Sequence, residues 1–113
     1  MIEKLAQKQL LAYNQNDLDA FCACYHHQVQ VLDDTHQILC QGIDQFRLRY
    51  QDLFTKFSCG ATVSNRMVLA RHCVDLETWW RIEKKTQTHT QGDVLVYYQE
   101  LDQLIYKVQF FKP

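Results

Sequence analysis

The sequence has no block of lysine or arginine. Twelve Lys and Arg stand against thirteen Asp and Glu, for a net charge of -1. Without a basic stripe to displace counterions from a phosphate backbone, nucleic acid is excluded as a partner. No apolar run approaches membrane-spanning length, so a membrane partner is not expected. The opening residues, MIEKLAQKQLLAYNQ, carry Glu3 and scattered polar side chains and lack the apolar h-region of a secretory signal. HExxH and CxxC are both absent. His26–His27 and His72–Cys73 are adjacent pairs, which point apart on a strand. Neither a metal nor a cofactor is expected, and the histidines read as solvated. The five cysteines, at 22, 24, 40, 59 and 73, are odd in number and follow no disulfide framework. Packed free thiols and a cytoplasmic location follow. There is no linker, repeat or low-complexity stretch, so residues 1–113 read as a single domain.

What is present is patterned. Residues 2–14 read as a helix with Ile2, Leu5, Ala6, Gln9 and Tyr13 along one stripe. Asn16 reads as the N-cap of a short second helix carrying Leu18, Phe21, Cys22 and Tyr25 at i, i+3, i+4, i+7. A third helix, roughly 43–57, buries Ile43, Phe46, Tyr50, Leu53 and Phe54. After Ser58-Cys59-Gly60 the chain turns to Val, Thr, Tyr, Trp and Phe with no proline before Pro113. Four strands are predicted there, near 61–71, 73–84, 88–99 and 104–111. Helices followed by a meander argue an α+β domain, with helices packed on one face of a curved, mostly antiparallel sheet.

The stretch YHHQVQVLDD, 25–34, carries the sharpest chemical signal. As a strand it puts Val29, Val31 and Asp33 on one face, so the valines mark Asp33's side as buried. Two roles fit such a carboxylate. One is a general base, its pKa raised by poor solvation. The other is a strand-end aspartate capping a turn at Thr35–Gln37. Asp75 and Glu77, two apart in VDLETWW, read as a solvated strand face. Gln9 is an amide on an apolar stripe and needs partners if buried.

Four words of the sequence, YNQNDLDAFCACYHHQVQVLDD (13–34), CQGIDQFRLRYQDLF (40–54), RMVLARHCVDLE (66–77) and YQELDQLIYKVQFF (98–111), span nearly the whole chain. In them it resembles the NTF2-like superfamily, and within it the SnoaL-like and steroid delta-isomerase-like branch. The resemblance implies a cone: three N-terminal helices packed on a curved sheet, with a pocket between. It also implies a homodimer through the sheet's outer face. It puts Asp33 at the isomerases' general-base position, since Tyr25, Val31 and Asp33 match their Y-x-x-x-x-x-V-x-D run. Tyr50 matches a supporting tyrosine. The oxyanion donors do not match: their positions are taken by Gln9 and Leu95, and Tyr13, one helical turn beyond Gln9, is the substitute donor.

The expected ligand is a small apolar molecule with an oxygen function. Gln9, Tyr50, Leu95, Tyr97, Val108 and Phe110 are expected to line its pocket, with Asp33 and Tyr13 as base and donor. An isomerase- or dehydratase-type enzyme without cofactor is one reading. A non-catalytic ligand-binding or dimerisation module of the same fold is the other. Which of Trp79 and Trp80 faces inward is open at this stage.

Overall fold

The computed structural model describes residues 1–113. Its elements are α1 (Ile2–Asn14), α2 (Leu18–Cys22), β1 (Tyr25–Leu32), β2 (Ile38–Gln41), α3 (Ile43–Lys56), β3 (Phe57–Leu69), β4 (His72–Glu83), β5 (His89–Leu101) and β6 (Leu104–Phe111). The six strands form one sheet in the order β2-β1-β6-β5-β4-β3. Every neighbouring pair is antiparallel except β1 and β6, which run parallel. Only α1 and the five-residue α2 precede the sheet; α3 lies between β2 and β3. No helix is long and apolar enough to cross a membrane.

The helices cover one face of the sheet. α1 packs on β3 to β6, and α3 on β1, β2 and β3. Phe21 from α2 is the hinge of this packing. Its ring lies 5.5 Å from Phe46 and 4.7 Å from Tyr50, both on α3, and 5.0 Å from Tyr25 on β1. Burying each such aromatic is worth roughly 1.5–3 kcal/mol, and the paired rings add to it. All five cysteines are buried and unpaired, as packed thiols should be.

Three sequence readings are corrected. The N-cap of α2 is Asp17, whose side chain accepts from Ala20 N at 3.1 Å. Asn16 instead ties α1 to the sheet's edge. Its amide donates to Cys59 O at 3.0 Å, while Asn14 donates to Ala61 O at 3.0 Å and accepts from Ala61 N at 2.8 Å. Two asparagines thereby satisfy backbone groups that the edge strand β3 would leave open. Secondly, β3 begins at Phe57, with no break at Gly60. That glycine pairs with Trp80, and a Cβ there would meet the indole at 2.3 Å. The residue is a seat for an aromatic rather than a chain breaker. Thirdly, His26 is buried, with Nδ1 accepting from Gln28 N at 3.0 Å and Nε2 3.5 Å from Asp102.

Candidate functional site

A cavity of about 710 Å³ opens between the helices and the inner face of the sheet. That volume lies within the range of about 300–1,000 Å³ usual for small-molecule sites. Its wall is mostly apolar and aromatic, from Tyr13, Phe21, Tyr50, Trp79, Val108 and Phe110 among others.

The strands decide which side chains enter. On β4, Glu77, Trp79 and Arg81 alternate into the cavity, and Thr78 and Trp80 point outward. Trp79 is therefore the inward indole. It lies across Gly92 of β5, where a Cβ would come within 2.9 Å of it. On β5 the inward residues are Val94, Val96 and Tyr98. Leu95 and Tyr97 have the opposite parity and do not line the cavity. Leu95 is 43% exposed on the outer face, paired with Leu76 and Phe111. Tyr97 meets the His72 ring there. The expected contacts at Leu95 and Tyr97 are thus one residue out of phase, because Leu95-Val96-Tyr97-Tyr98 is apolar at both parities. Gln9, Tyr13, Tyr50, Val108 and Phe110 do line the cavity.

Gln9 has the partners its burial demands. Its amide donates to Ala6 O at 3.0 Å and to Tyr98 Oη at 3.1 Å, and its carbonyl accepts from Tyr25 Oη at 2.9 Å. α1, β1 and β5 are pinned together through one side chain. Because Tyr98 Oη accepts from Gln9, its own hydrogen is left free to donate. Burial raises the pKa of the Tyr50 hydroxyl and lifts those of Tyr25 and Tyr98 well above the ordinary range, so all three act as neutral donors. Tyr13 is raised by the same cause, standing beside Cys59 and edge-on to Phe54 at 5.5 Å.

Two of the cavity's carboxylates stand in opposite environments. Asp33 follows β1 and lines the wall, but its Oδ1 is taken by the turn. It accepts from Thr35 Oγ1 at 2.6 Å, Thr35 N at 2.9 Å and Gln37 N at 3.0 Å. The Thr35 hydroxyl leads in pulling its pKa below the ordinary value. A carboxylate so held is a turn cap, and a weaker base than an unbonded one.

Glu77 is the reverse, and the sequence reading of a solvated Asp75–Glu77 pair is overturned at both residues. Asp75 is fully buried and held by Arg66, with Nε at 2.7 Å and Nη2 at 2.9 Å from its oxygens. Gln7 braces the same guanidinium at 3.1 Å. Glu77, two residues on, has no such partner. Burial first, then the Asp75 charge, pushes its pKa up to about 7. The signal for Glu77 was present in the sequence as an acid at the same strand parity as Trp79. It could not be read without knowing which Trp faced inward.

No protein-family model matches the chain, and no curated protein matches it in sequence. Solved structures do match in shape. The Delta 5-3-ketosteroid isomerase of Mycobacterium sp. superposes with a TM-score of 0.87 over 99% of this chain and 92% of its own, at 9% identity. An LEH-like epoxide hydrolase of M. tuberculosis gives 0.85 over 97% and 80%, at 11% identity. A protein of ketosteroid isomerase-like fold from Catenulispora acidiphila, in complex with trimethylamine, gives 0.81 over 97% and 85%, at 10% identity. With the helix order, sheet order and cavity already described, these likenesses give the chain the NTF2-like fold, in the form shared by ketosteroid isomerase-like proteins.

Proposed function

We propose that this chain binds a compact, mostly apolar molecule with an oxygen function in the cavity and moves a proton on it, with Glu77 as acid and base. The supporting observation is the Glu77 carboxyl itself. It stands in the cavity wall, unbonded to the protein and tuned near neutrality. A group whose pKa lies near the working pH is the most efficient proton carrier. The Tyr98 and Tyr50 hydroxyls, both influenced by the Glu77 charge, supply hydrogen bonds to an oxygen that gains charge as the proton leaves. The reaction class is proton abstraction beside a carbonyl, as an isomerase or dehydratase requires. Asp33, the expected base, is assigned to the turn in this reading.

Deuterium exchange tests it on any ketone that enters the cavity. A panel of compact ketones is incubated in heavy water with the protein, and loss of the α-proton signals is followed by NMR. The wild type should accelerate exchange for at least one ketone. Glu77→Gln should lose about 10²–10⁴-fold of that rate, and Asp33→Asn should retain it. Exchange as fast in Glu77→Gln as in the wild type would remove Glu77 from the chemistry.

A second reading, a ligand-binding module without chemistry, is favoured by the internal satisfaction of the Gln9–Tyr25–Tyr98 network. It predicts ketone binding with no exchange.

The outer sheet face, with Leu76, Trp80, Leu95 and Phe111 exposed, supports a homodimer as part of the same proposal. A monomer in sedimentation at micromolar concentration would remove it. The buried free thiols support a reducing, cytoplasmic setting.

A further inference from the structure

Arg81 is the cavity residue that the proton-transfer reading leaves unused. It enters the cavity from β4 and makes no ion pair or hydrogen bond with any other side chain. Its Nε is buried with no acceptor at all, alone among the buried side-chain nitrogens and oxygens of the chain. Such an orphan is rare because the lost hydration is not repaid. The Trp79 ring holds the guanidinium in place, with the carbon centre 5.1 Å from the ring centroid. Trp79 can lie there because Gly92 leaves the space.

The other charged residues of the cavity are placed differently. Arg49, Lys112, Asp34 and Asp52 are exposed, at the mouth. Glu77 lies four residues away on the same strand, about 13 Å along it. Burial and Asp75, not Arg81, set the proton affinity of Glu77. Tyr50 feels both charges, and Tyr13 feels Arg81. The cavity therefore has an acidic end at Glu77 with Tyr25 and Tyr98, and a cationic end at Arg81 with Trp79 and Tyr13.

We infer that Arg81 is a binding site for the carboxylate of the ligand, so that the cavity takes an organic acid whose apolar body spans from Arg81 toward Glu77. A guanidinium matches a carboxylate with two parallel N–H donors, which no hydroxyl or carbonyl can use equally well. The edge available is the one carrying the two Nη atoms, which no protein group pairs; Nε stays covered, and the carboxylate offsets the cost of the half-buried charge rather than pairing Nε. This rests on the cavity being the ligand site, and it adds the charge of the ligand to that reading.

The test compares acids with their own primary amides, which match in shape and lack the charge. Benzoate, phenylacetate, cinnamate and 2-naphthoate, each beside its amide, are titrated calorimetrically into the protein at about pH 6, below the Glu77 midpoint. At least one acid should bind about tenfold or more tighter than its amide. Arg81→Met should abolish that preference, weakening the acids far more than the amides. It should also keep or raise the melting temperature, because an unpaired buried donor is removed. Arg81→Lys should retain part of the preference. Acids and amides binding alike, or an acid preference that survives in Arg81→Met, would overturn the inference while leaving the cavity as a ligand site. If neither acids nor amides bind, both fall. Loss of deuterium exchange with the acid preference intact would sink only the role of Glu77.

Discussion

Asp33 and Glu77 are both acidic, both at inward strand parity, and both in the wall of one cavity. Asp33 sits where the strand has ended, so the backbone and Thr35 turn three donors toward one oxygen and lower its pKa. Glu77 sits mid-strand, paired with Val63 of β3 and Val94 of β5, and no hydrogen bond of the protein reaches its carboxylate. Nothing is left to stabilise its charge, and burial raises its pKa. Inside a strand an inward carboxylate depends on a side-chain donor, which Asp75 has in Arg66 and Glu77 lacks; a strand end also offers it backbone N–H groups. Position along the strand, more than residue type, separates a proton carrier from a turn cap.

The largest way to break this comparison is to unseat Asp75, two residues before Glu77 on the same face of β4. Arg66→Met leaves a fully buried carboxylate without its guanidinium and should cost about 3–5 kcal/mol. Chemical denaturation measures it. A loss below about 1 kcal/mol would mean that Asp75 finds another partner or takes up a proton cheaply.

A smaller effect should sharpen the role of Glu77. Its folded pKa is raised above the ordinary 4.5 to about 7. The favourable contribution is therefore fully present below about 4.5 and lost as pH rises through about 7. Glu77→Gln should remove that slope and be the more stable protein at alkaline pH, by about 3 kcal/mol at most. Melting temperatures of the two proteins across pH 4 to 8 decide it. Parallel profiles would show that Glu77 titrates normally.

The smallest effect concerns the two groups directly. Carbon-13 labelled carboxyls followed by NMR should titrate Glu77 near 7 and Asp33 below its ordinary 3.8. Thr35→Val removes the donor that does most to lower Asp33. It should move the Asp33 midpoint upward and leave Glu77 unchanged. Two carboxyls titrating together would erase the distinction.

Much of the architecture was legible because its periodicities are unambiguous. α1 has the expected bounds, and β6 lies where it was expected, at 104–111. On the helices and β6 the expected lining residues Gln9, Tyr13, Tyr50, Val108 and Phe110 stand in the cavity wall. The reading failed where a strand is apolar on both faces. On β5 it chose the parity of Leu95 and Tyr97, when Val94, Val96 and Tyr98 face inward. It failed again at the start of β3, expected near 61 and found at Phe57, since the indole that covers Gly60 comes from Trp80, twenty positions along the chain. The site's chemistry was hidden for a related reason. Whether Asp75 and Glu77 are wet or buried depends on Arg66 and on the helices across the cavity, and neither relation has a local signature.

The parallel pairing of β1 with β6 bears on how the chain folds. Ile105 N donates to Cys24 O at 2.9 Å, and the Gln109 amide to Asp33 O at 3.1 Å, across 76 residues. Until β6 is in place, β1 has only the short β2 beside it, and the valines beneath it have no sheet to continue. Sheet closure thus waits for the last strand, on the ribosome as in refolding, and such long-range closures are slow and leave sticky edges exposed meanwhile. The hydrogen bond that fixes the Asp33 end of the cavity belongs among the last contacts to form. Pulsed hydrogen exchange during refolding should then protect the amides of the β3–β4 hairpin before those of β1, and simultaneous protection would count against this order.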